Sequence, residues 1–394
     1  MNPRDPLAYK DAIFFSGHKF LGGPGSPGVL IVKKNLMQNE VPTTDGDETV
    51  LLVTEKAQNK LSDIVLREEG GAPDILGSIR LGLAFRLKQR VGANTIMALE
   101  RRHAQHVREA LVRNSNIVLL GRHTYNMDQL PIFSMMIRFD DRFLHHNFVC
   151  ALLNDLFGIQ ARGGCQCAGP YAARMLGLNI KHTIALEHAF TEEDEVIKPG
   201  VVRMSFPYFA DDAEVEYILD AVRFIAEEGW KFLPQYELDV RSAEWHHISR
   251  STAYSLAKKS LSDLQFFSEN AASSSPQHQP TIHCIATHRR ENLEQAALQA
   301  DICIKEAALL PNFPEGQKVY KKHEWLRWFV YPYEAVAKYK MGVDKVSPTE
   351  KITGPCQPQL YMEDATNHIW DGMPSMSKLK RSRLERLMLL LPTY

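Results

Sequence analysis

The sequence contains no apolar run close to the roughly 18 residues that a membrane-spanning helix needs. It also lacks a charge excess, because 46 Lys and Arg residues balance 47 Asp and Glu residues to a formal net charge of -1. A chain with no net field is not drawn as a whole to nucleic acid or to an anionic membrane. These two absences argue against a membrane protein and predict that neither nucleic acid nor a membrane is a partner.

Cysteine is sparse, with six residues in 394, which is too few for a disulfide framework in a chain of this length. The first residues, Met1 to Pro6, carry no apolar stretch that resembles a signal peptide. In a reducing compartment such cysteines would be free thiols, ligands or nucleophiles. We therefore expect a cytoplasmic protein.

Strand and helix patterns alternate over the first 230 residues, which predicts an α/β or α+β layered fold. We expect the strand at 13–15 to be buried, and the helix that begins at Asp74 to be buried on most sides. The remaining predicted strands are 28–32, 117–120, 131–138 and 201–208, and the remaining helices are 94–113, 145–157 and 211–228.

The pattern weakens after residue 240. A Ser- and Ala-rich stretch near 271–280 is typical of a linker, a strand is predicted at 281–286 and a helix at 291–310. We predict three parts: residues 1–73 with the motif described next, a small α/β domain over 74–238, and a partly ordered extension of unknown role over 239–394.

The most informative motif is FSGHKFLGGPGSPG at residues 15–28, in which Lys19 lies between a strand and a glycine-rich loop. One interpretation is a surface lysine beside a tight turn. The other is a lysine that forms a Schiff base with an aldehyde cofactor, whose phosphate would accept hydrogen bonds from Ser16 and His18.

This string resembles the cofactor-lysine segment of the fold-type I, pyridoxal-phosphate-dependent class V aminotransferases, in particular the cysteine desulfurase and selenocysteine lyase branch. The resemblance implies that Lys19 is the Schiff-base lysine and that Ser16 and His18 contact the phosphate of pyridoxal 5'-phosphate. It further implies an amino-acid substrate and a homodimer of the full-length form. The chain would then hold the end of the large domain and the C-terminal small domain.

Two later segments are similar to the same family. ARGGCQCAGP at 161–170 resembles the loop of the desulfurase cysteine, so Cys167 would form a persulfide, with Arg162 nearby and Cys165 left as an alternative nucleophile. A free thiol in a turn or half a zinc site would also fit this pattern, and we predict no metal. In KPGVVRMSF at 198–206, Arg203 would bind the substrate carboxylate, whereas a solvated charge is the plain alternative.

Two departures from the family pattern matter. Ala72 stands where the family has a threonine that reaches the neighbouring subunit's phosphate, and no residues before Lys19 supply the ring-stacking side chain or the aspartate partner of the pyridine nitrogen. We therefore expect an N-terminally incomplete chain with exposed apolar surface. The sequence predicts an enzyme, and the alternative is a catalytically inactive binding or regulatory module.

The tail interleaves basic and aromatic residues at 321–328, and a basic run at 378–386 leads into an apolar segment at 387–391. Such stretches occur at nucleic-acid and membrane surfaces, but in a chain of net charge -1 amphipathic helices that cover apolar surface explain them better.

Overall fold

The computed structural model describes residues 9–42, 49–121, 129–249, 282–349 and 351–358. The polar loop predicted around Thr43 to Asp47, the linker near 271–280 and the basic run at 378–386 lie outside these ranges. Contacts divide the chain into two compact units, residues 1–99 and 100–394, and each is described by itself. The boundaries predicted at 73/74 and 238/239 stay predictions.

The first unit contains two separate antiparallel strand pairs and two helices. Strand β1 pairs with β2 from Ala12 opposite Val32 to Ser16 opposite Gly28, and β3 pairs with β4. The elements are β1 (Ala12–Ser16), β2 (Gly28–Val32), β3 (Val50–Val53), β4 (Gln58–Lys60), α1 (Ile64–Glu68) and α2 (Ile75–Val91), followed by α3 (Ala93–Val112), which continues into the second unit.

Helix α2 begins as the sequence predicts, because the Asp74 carboxylate accepts a hydrogen bond from the Gly77 backbone N–H at 2.8 Å. The predicted burial of β1 and α2 is wrong. Phe14 is 81% exposed and Leu76 is 69% exposed, since no described element of this unit covers those faces. The expected exposure of apolar surface is thereby confirmed.

The second unit is built on an antiparallel sheet of five strands with the order β5-β6-β9-β8 and with β7 beside β6. The strands are β5 (Ile117–Leu120), β6 (Ile132–Phe139), β7 (Arg142–Leu144), β8 (Arg162–Gly164) and β9 (Val201–Ser205). The same unit contains helices α4 (His146–Phe157), α5 (Gly169–Met175), α6 (Ile180–Thr191) and α7 (Asp212–Glu228), of which α4 packs against β8 and β9. This mixture of helices and strands confirms the predicted α/β class.

Local signals explain where several of these helices begin and end. Gly158, at φ 67°, closes α4 in the left-handed region that glycine adopts without a steric penalty. The Asp211 carboxylate accepts a hydrogen bond from the Glu214 N–H and starts α7, as predicted. Asn94, the first residue of the helix predicted at 94–113, is not its N-cap, because α3 already begins at Ala93.

Described residues between Ala296 and Cys356 contribute to the same buried core. The remaining elements are β10 (Tyr236–Leu238), β11 (Trp245–His247), α8 (Ile282–Leu309) and α9 (Pro332–Lys340). The strand predicted at 281–286 is wrong, because residues from Ile282 onward are helical. Trp328, Phe329 and Tyr331 are fully buried, and Phe329 bridges to Phe143 beside the sheet.

Buried polar groups hold this C-terminal region in place. The Arg327 guanidinium, 3% exposed, donates to both carboxylate oxygens of Glu334 at 2.7 and 2.8 Å and to Glu324 at 2.6 Å. His323 Nδ1 lies 2.6 Å from a carboxylate oxygen of the buried Asp194. Within the predicted stretch 321–328, His323, Arg327 and Trp328 are buried, whereas Lys321, Lys322 and Trp325 are exposed.

No helix in the described part of the chain combines the length and the apolar character that crossing a bilayer requires.

Candidate functional site

Lys19 lies on a short 3-10 turn that follows β1 directly. Gly17 opens this turn and is buried so closely that an added Cβ would lie 2.5 Å from Leu81 Cδ1. Gly23 closes the loop, because its N–H donates to Phe20 O at 2.8 Å and an added Cβ would lie 2.2 Å from Gly17 O. The glycines of the motif thus allow the backbone to fold tightly on itself around the lysine.

The polar side chains of this turn are free of internal partners. His18 and Lys19 are exposed and Ser16 is partly buried, and none of the three side chains hydrogen-bonds or ion-pairs with a residue that the structure describes. Phe20 packs under the turn against Phe15, with ring centroids 5.5 Å apart. The turn therefore presents an amine, an imidazole and a hydroxyl that are available to a ligand.

Arg162 and Arg203 lie opposite each other on β8 and β9. Directly opposite residues of an antiparallel pair project from the same face, and two like charges in that position repel each other. Ser134 on β6 is opposite Arg203 on its other side, so a hydroxyl and two guanidinium groups form a row across three strands. An anion bound in this row would remove the repulsion.

Arg203 lines a cavity of about 460 Å³. Its guanidinium is partly buried and makes no hydrogen bond or ion pair within the described residues. Ser134, Cys165 and Gln166 also line this cavity, whereas Cys167 does not. An arginine with no partner in a cleft is suited to a carboxylate, which a guanidinium can hold with two parallel hydrogen bonds.

The cysteine loop forms a tight turn with an unusual backbone. Gln166 and Cys167 have φ values of 61° and 59°, and the Ala168 N–H donates to Cys165 O at 3.1 Å. Two consecutive non-glycine residues in the left-handed region cost about 1–2 kcal/mol each. The surrounding contacts must compensate for that strain.

The Gln166 side chain supplies these contacts. Its Nε2 donates to three carbonyl oxygens, those of Arg162 at 2.8 Å, Gly164 at 3.3 Å and Val201 at 3.4 Å. The bonds connect the turn to both β8 and β9. Gln166 Oε1 is buried and has no hydrogen-bond partner among the described residues. The sequence analysis missed the role of Gln166, because neither residue type nor spacing distinguishes it from a surface glutamine.

Cys167 is exposed at the outer side of the turn. Arg162 Nη2 donates to Cys167 Sγ at 3.1 Å, so that a positive charge lies beside the sulfur. A neighbouring cation stabilises negative charge on a thiol sulfur, and exposure makes the sulfur accessible to a reaction partner. Cys165 is partly buried on the cavity side of the same turn.

Two adjacent histidines lie beneath this loop. His146 is buried against Gly163 of β8 and Gly200 before β9, since an added Cβ at Gly163 would lie 2.8 Å from its Cδ2 and one at Gly200 would lie 2.9 Å from its Cε1. Burial, together with the charge of Lys198, lowers the pKa of His146 to about 3. The imidazole is therefore neutral at physiological pH, and its Nδ1 has no hydrogen-bond partner within the described chain.

The neighbouring His145 is also neutral. Burial, and secondarily the charge of His146, holds the pKa of His145 well below its ordinary value. Its Nδ1 accepts a hydrogen bond from the Asn147 N–H, and its Nε2 lies 3.1 Å from Val196 O, an arrangement that fits an imidazole protonated at Nε2. The sequence analysis missed both histidines, although the doublet itself was a visible signal.

The structure thus brings Arg162, Cys167 and Arg203 together on two neighbouring strands and the loop that follows β8. Ser16, His18 and Lys19 share one turn of the first unit. The catalytic and binding roles predicted for these six residues stay predictions.

Comparisons of the sequence with known proteins find one family model and several cysteine desulfurases that are similar to this chain. A family model described as aminotransferase class-V matches residues 9–218. A cysteine desulfurase of Pectobacterium atrosepticum is 30% identical over 166 residues, which cover 41% of this chain and 37% of that protein. A cysteine desulfurase of Escherichia coli O127:H6 is 29% identical over 163 residues, which cover 41% of this chain and 38% of that protein.

Among solved structures, the apo cysteine desulfurase of Thermococcus onnurineus NA1 matches at 26% identity with a TM-score of 0.44, covering 55% of this chain and 47% of that one. The chain spans 37–38% of the length of the two curated relatives. Because the family match extends over more than half of its residues, this chain belongs to the class V aminotransferase family and is cysteine desulfurase-like.

Proposed function

We propose that this chain carries the lysine and cysteine parts of a pyridoxal-phosphate-dependent cysteine desulfurase. The observation that supports the proposal most directly is Arg203, which has no hydrogen-bond or ion-pair partner among the described residues. It lines a cavity together with Cys165 and Gln166 of the loop in which Arg162 donates to Cys167 Sγ. Removal of sulfur from an amino acid requires a group that binds the substrate carboxylate, as a guanidinium can. It also requires a thiol that accepts the sulfur atom, and a neighbouring cation suits a thiol to that role.

The turn at Lys19 fits the cofactor. Lys19 would hold the aldehyde carbon through its ε-amine, and Ser16 and His18 would donate to the phosphate oxygens. All three side chains lack partners among the described residues, which leaves their hydrogen-bonding capacity available. When bound, pyridoxal 5'-phosphate supplies an electron sink for a substrate carbanion.

The residues of the second unit would position the substrate. Arg203 binds the α-carboxylate, and the Ser134 hydroxyl beside it is a further donor. Arg162 stabilises negative charge on Cys167 Sγ. The substrate's carbon–sulfur bond breaks, and the sulfur atom ends as the outer atom of a persulfide on Cys167, with alanine as the second product.

The activity of the whole protein, its homodimeric state and its cytoplasmic location belong to the same proposal. In a dimer, the contact that the family's threonine hydroxyl makes to the neighbouring subunit's phosphate would be missing. The exposed Ala72 at that position has only backbone groups to donate. That substitution is the observation that favours the second candidate function, a catalytically inactive binding or regulatory module.

Borohydride reduction of the full chain with pyridoxal 5'-phosphate tests the proposal. We expect a pyridoxyl group on Lys19 in the peptide map, and its loss in Lys19→Ala but not in Lys56→Ala, whose lysine is also exposed. Release of sulfide and alanine from cysteine should require the cofactor. A pyridoxyl group without product formation would favour the inactive module, and no label on Lys19 would contradict both the cofactor and the enzyme.

A further inference from the structure

The two cysteines of the loop occupy different environments, although they are only two residues apart. Cys165 lines the cavity that contains Arg203, together with Gln166 and Ser134. Cys167 does not line that cavity and is exposed. Its Sγ accepts a hydrogen bond from Arg162 Nη2 at 3.1 Å. A substrate held by its carboxylate at Arg203 would therefore lie in the cavity that Cys165 lines and Cys167 does not.

The backbone keeps the two thiols near each other. Residues two apart in any chain have Cα atoms at most about 7 Å apart. The hydrogen bond from the Ala168 N–H to Cys165 O, at 3.1 Å, folds this segment further into a turn. Disulfide-bonded cysteines have Cα separations of about 4.4–6.8 Å, so a sulfur–sulfur reaction between these two side chains needs no large movement.

We propose that Cys165 and Cys167 form a two-thiol relay, in which Cys165 accepts the sulfur atom inside the cavity and Cys167 carries it to the protein surface. This inference rests on the proposed function and assigns Cys165 a role within it.

The relay step balances without a further reagent. The Cys167 thiolate attacks the outer sulfur of the Cys165 persulfide, and a new sulfur–sulfur bond forms at Cys167. The original sulfur–sulfur bond breaks, and Cys165 leaves as a thiolate. The sulfur atom is transferred with no net oxidation or reduction of the pair. Arg162 stabilises the attacking charge on Cys167 Sγ before the transfer.

The direction of transfer follows from exposure. A persulfide at Cys165 is partly enclosed by the cavity, whereas one at Cys167 faces solvent. A thiol acceptor from outside reaches Cys167 more readily. The relay thus separates the place where sulfur is taken from the substrate from the place where it is delivered.

The first experiment maps persulfides after a single turnover with cysteine and pyridoxal 5'-phosphate, by alkylation and peptide mass analysis. We expect the extra sulfur atom on Cys167 in the wild type and on Cys165 in Cys167→Ser. In Cys165→Ser the rate of Cys167 persulfide formation should fall by about tenfold or more. Cys303→Ala, which removes a buried thiol on α8, serves as the matched control and should behave like the wild type.

The second experiment needs no cofactor. An aromatic disulfide reagent such as 5,5'-dithiobis(2-nitrobenzoate) first modifies the exposed Cys167. If Cys165 is within reach, its thiolate displaces the aromatic thiol from Cys167 and forms a Cys165–Cys167 disulfide. The wild type then releases a second equivalent of the aromatic thiol at a rate independent of protein concentration. Cys165→Ser should release only the first equivalent from this loop.

The outcomes distinguish the relay from the function on which it rests. Persulfide formation on Cys167 at a similar rate in the wild type and in Cys165→Ser would overturn the relay alone. Failure of the two thiols to form a disulfide would also overturn it. A wild type that forms no persulfide from cysteine, yet closes the disulfide, would overturn the desulfurase function and with it the source of the sulfur.

Discussion

The indole of Trp328 stacks on the imidazole of His146, with ring centroids 5.7 Å apart and the planes 18° from parallel. His146 in turn contacts the glycines of the cysteine loop, so a side chain from the C-terminal region supports the candidate site from beneath. Trp328 also donates from its indole N–H to Ile197 O at 3.0 Å. The C-terminal region is therefore part of the structure that positions Cys167.

Replacing Trp328 by alanine should destabilise the second unit strongly. Truncation of a fully buried aromatic side chain costs about 3–5 kcal/mol, because apolar contacts are lost and a cavity is left. Urea unfolding monitored by circular dichroism measures the loss. Trp325→Ala is the matched control, because Trp325 is 54% exposed and its removal should change stability little. Equal effects of the two substitutions would contradict the packing described for Trp328.

Acid should destabilise the chain before its carboxylates titrate. The pKa values of His145 and His146 in the folded chain lie below the ordinary value of 6.5, so the unfolded chain binds protons first as pH falls. Stability is thus fully present above about pH 6.5 and declines below it by up to about 1.4 kcal/mol per pH unit for each histidine.

Urea unfolding at pH 6.5 and pH 5 measures this decline. His146→Gln should reduce this pH dependence by about half, because it removes one of the two imidazoles whose pKa burial lowers. His106→Gln is the control, since His106 is exposed beside Glu216 and has no comparable burial. An unchanged pH dependence in His146→Gln would contradict the assignment of His146 as a buried neutral group.

Gln166→Ala should loosen the turn that carries Cys167. It removes three hydrogen bonds while leaving a non-glycine residue at positive φ, so the strained backbone loses its main support. We expect faster amide hydrogen exchange at Ala168, whose N–H closes the turn, and a changed alkylation rate of Cys167. Gln105→Ala, which removes an exposed glutamine that hydrogen-bonds to Glu109, should leave both measurements unaltered.

Arg203→Lys should weaken binding of the amino-acid substrate without lowering the stability of the fold. Because the guanidinium has no partner among the described residues and lies opposite Arg162, losing it should not lower the melting temperature. A lysine cannot hold a carboxylate in the same bidentate way, so KM for the amino-acid substrate should rise by about tenfold. Arg102→Lys, at an exposed pair with Asp212, is the control. A lower melting temperature with unchanged KM would mean that Arg203 is structural.

Elements whose signals are local could be predicted from the sequence. Asp74, Gly158 and Asp211 act through atoms within a few residues of themselves, so their positions in the sequence were sufficient. The strands at 13–15 and 28–32 were predicted correctly for the same reason. Their burial was not, because burial depends on what covers an element, and that information lies elsewhere in the chain or outside it.

In the candidate site, too, features that depend on a short segment could be predicted, and features that depend on distant parts of the chain could not. Arg162, Cys167 and Arg203 were found because their segments resemble known motifs, and the structure brings these residues together. The three hydrogen bonds of Gln166 depend on the spatial approach of Val201 and Arg162, which spacing along the chain does not show. The packing of Trp328 on His146 joins residues more than a hundred positions apart, which spacing along the chain does not show either.

The family match ends at residue 218, in the middle of α7, whereas the buried core continues to Cys356. The segment that matches the family model and the segment that forms the buried core therefore have different ends. An expression clone cut at residue 218 would divide a helix and expose the surfaces that α8, Trp328 and Tyr331 cover. Any attempt to study the second unit in isolation should retain the chain through residue 358.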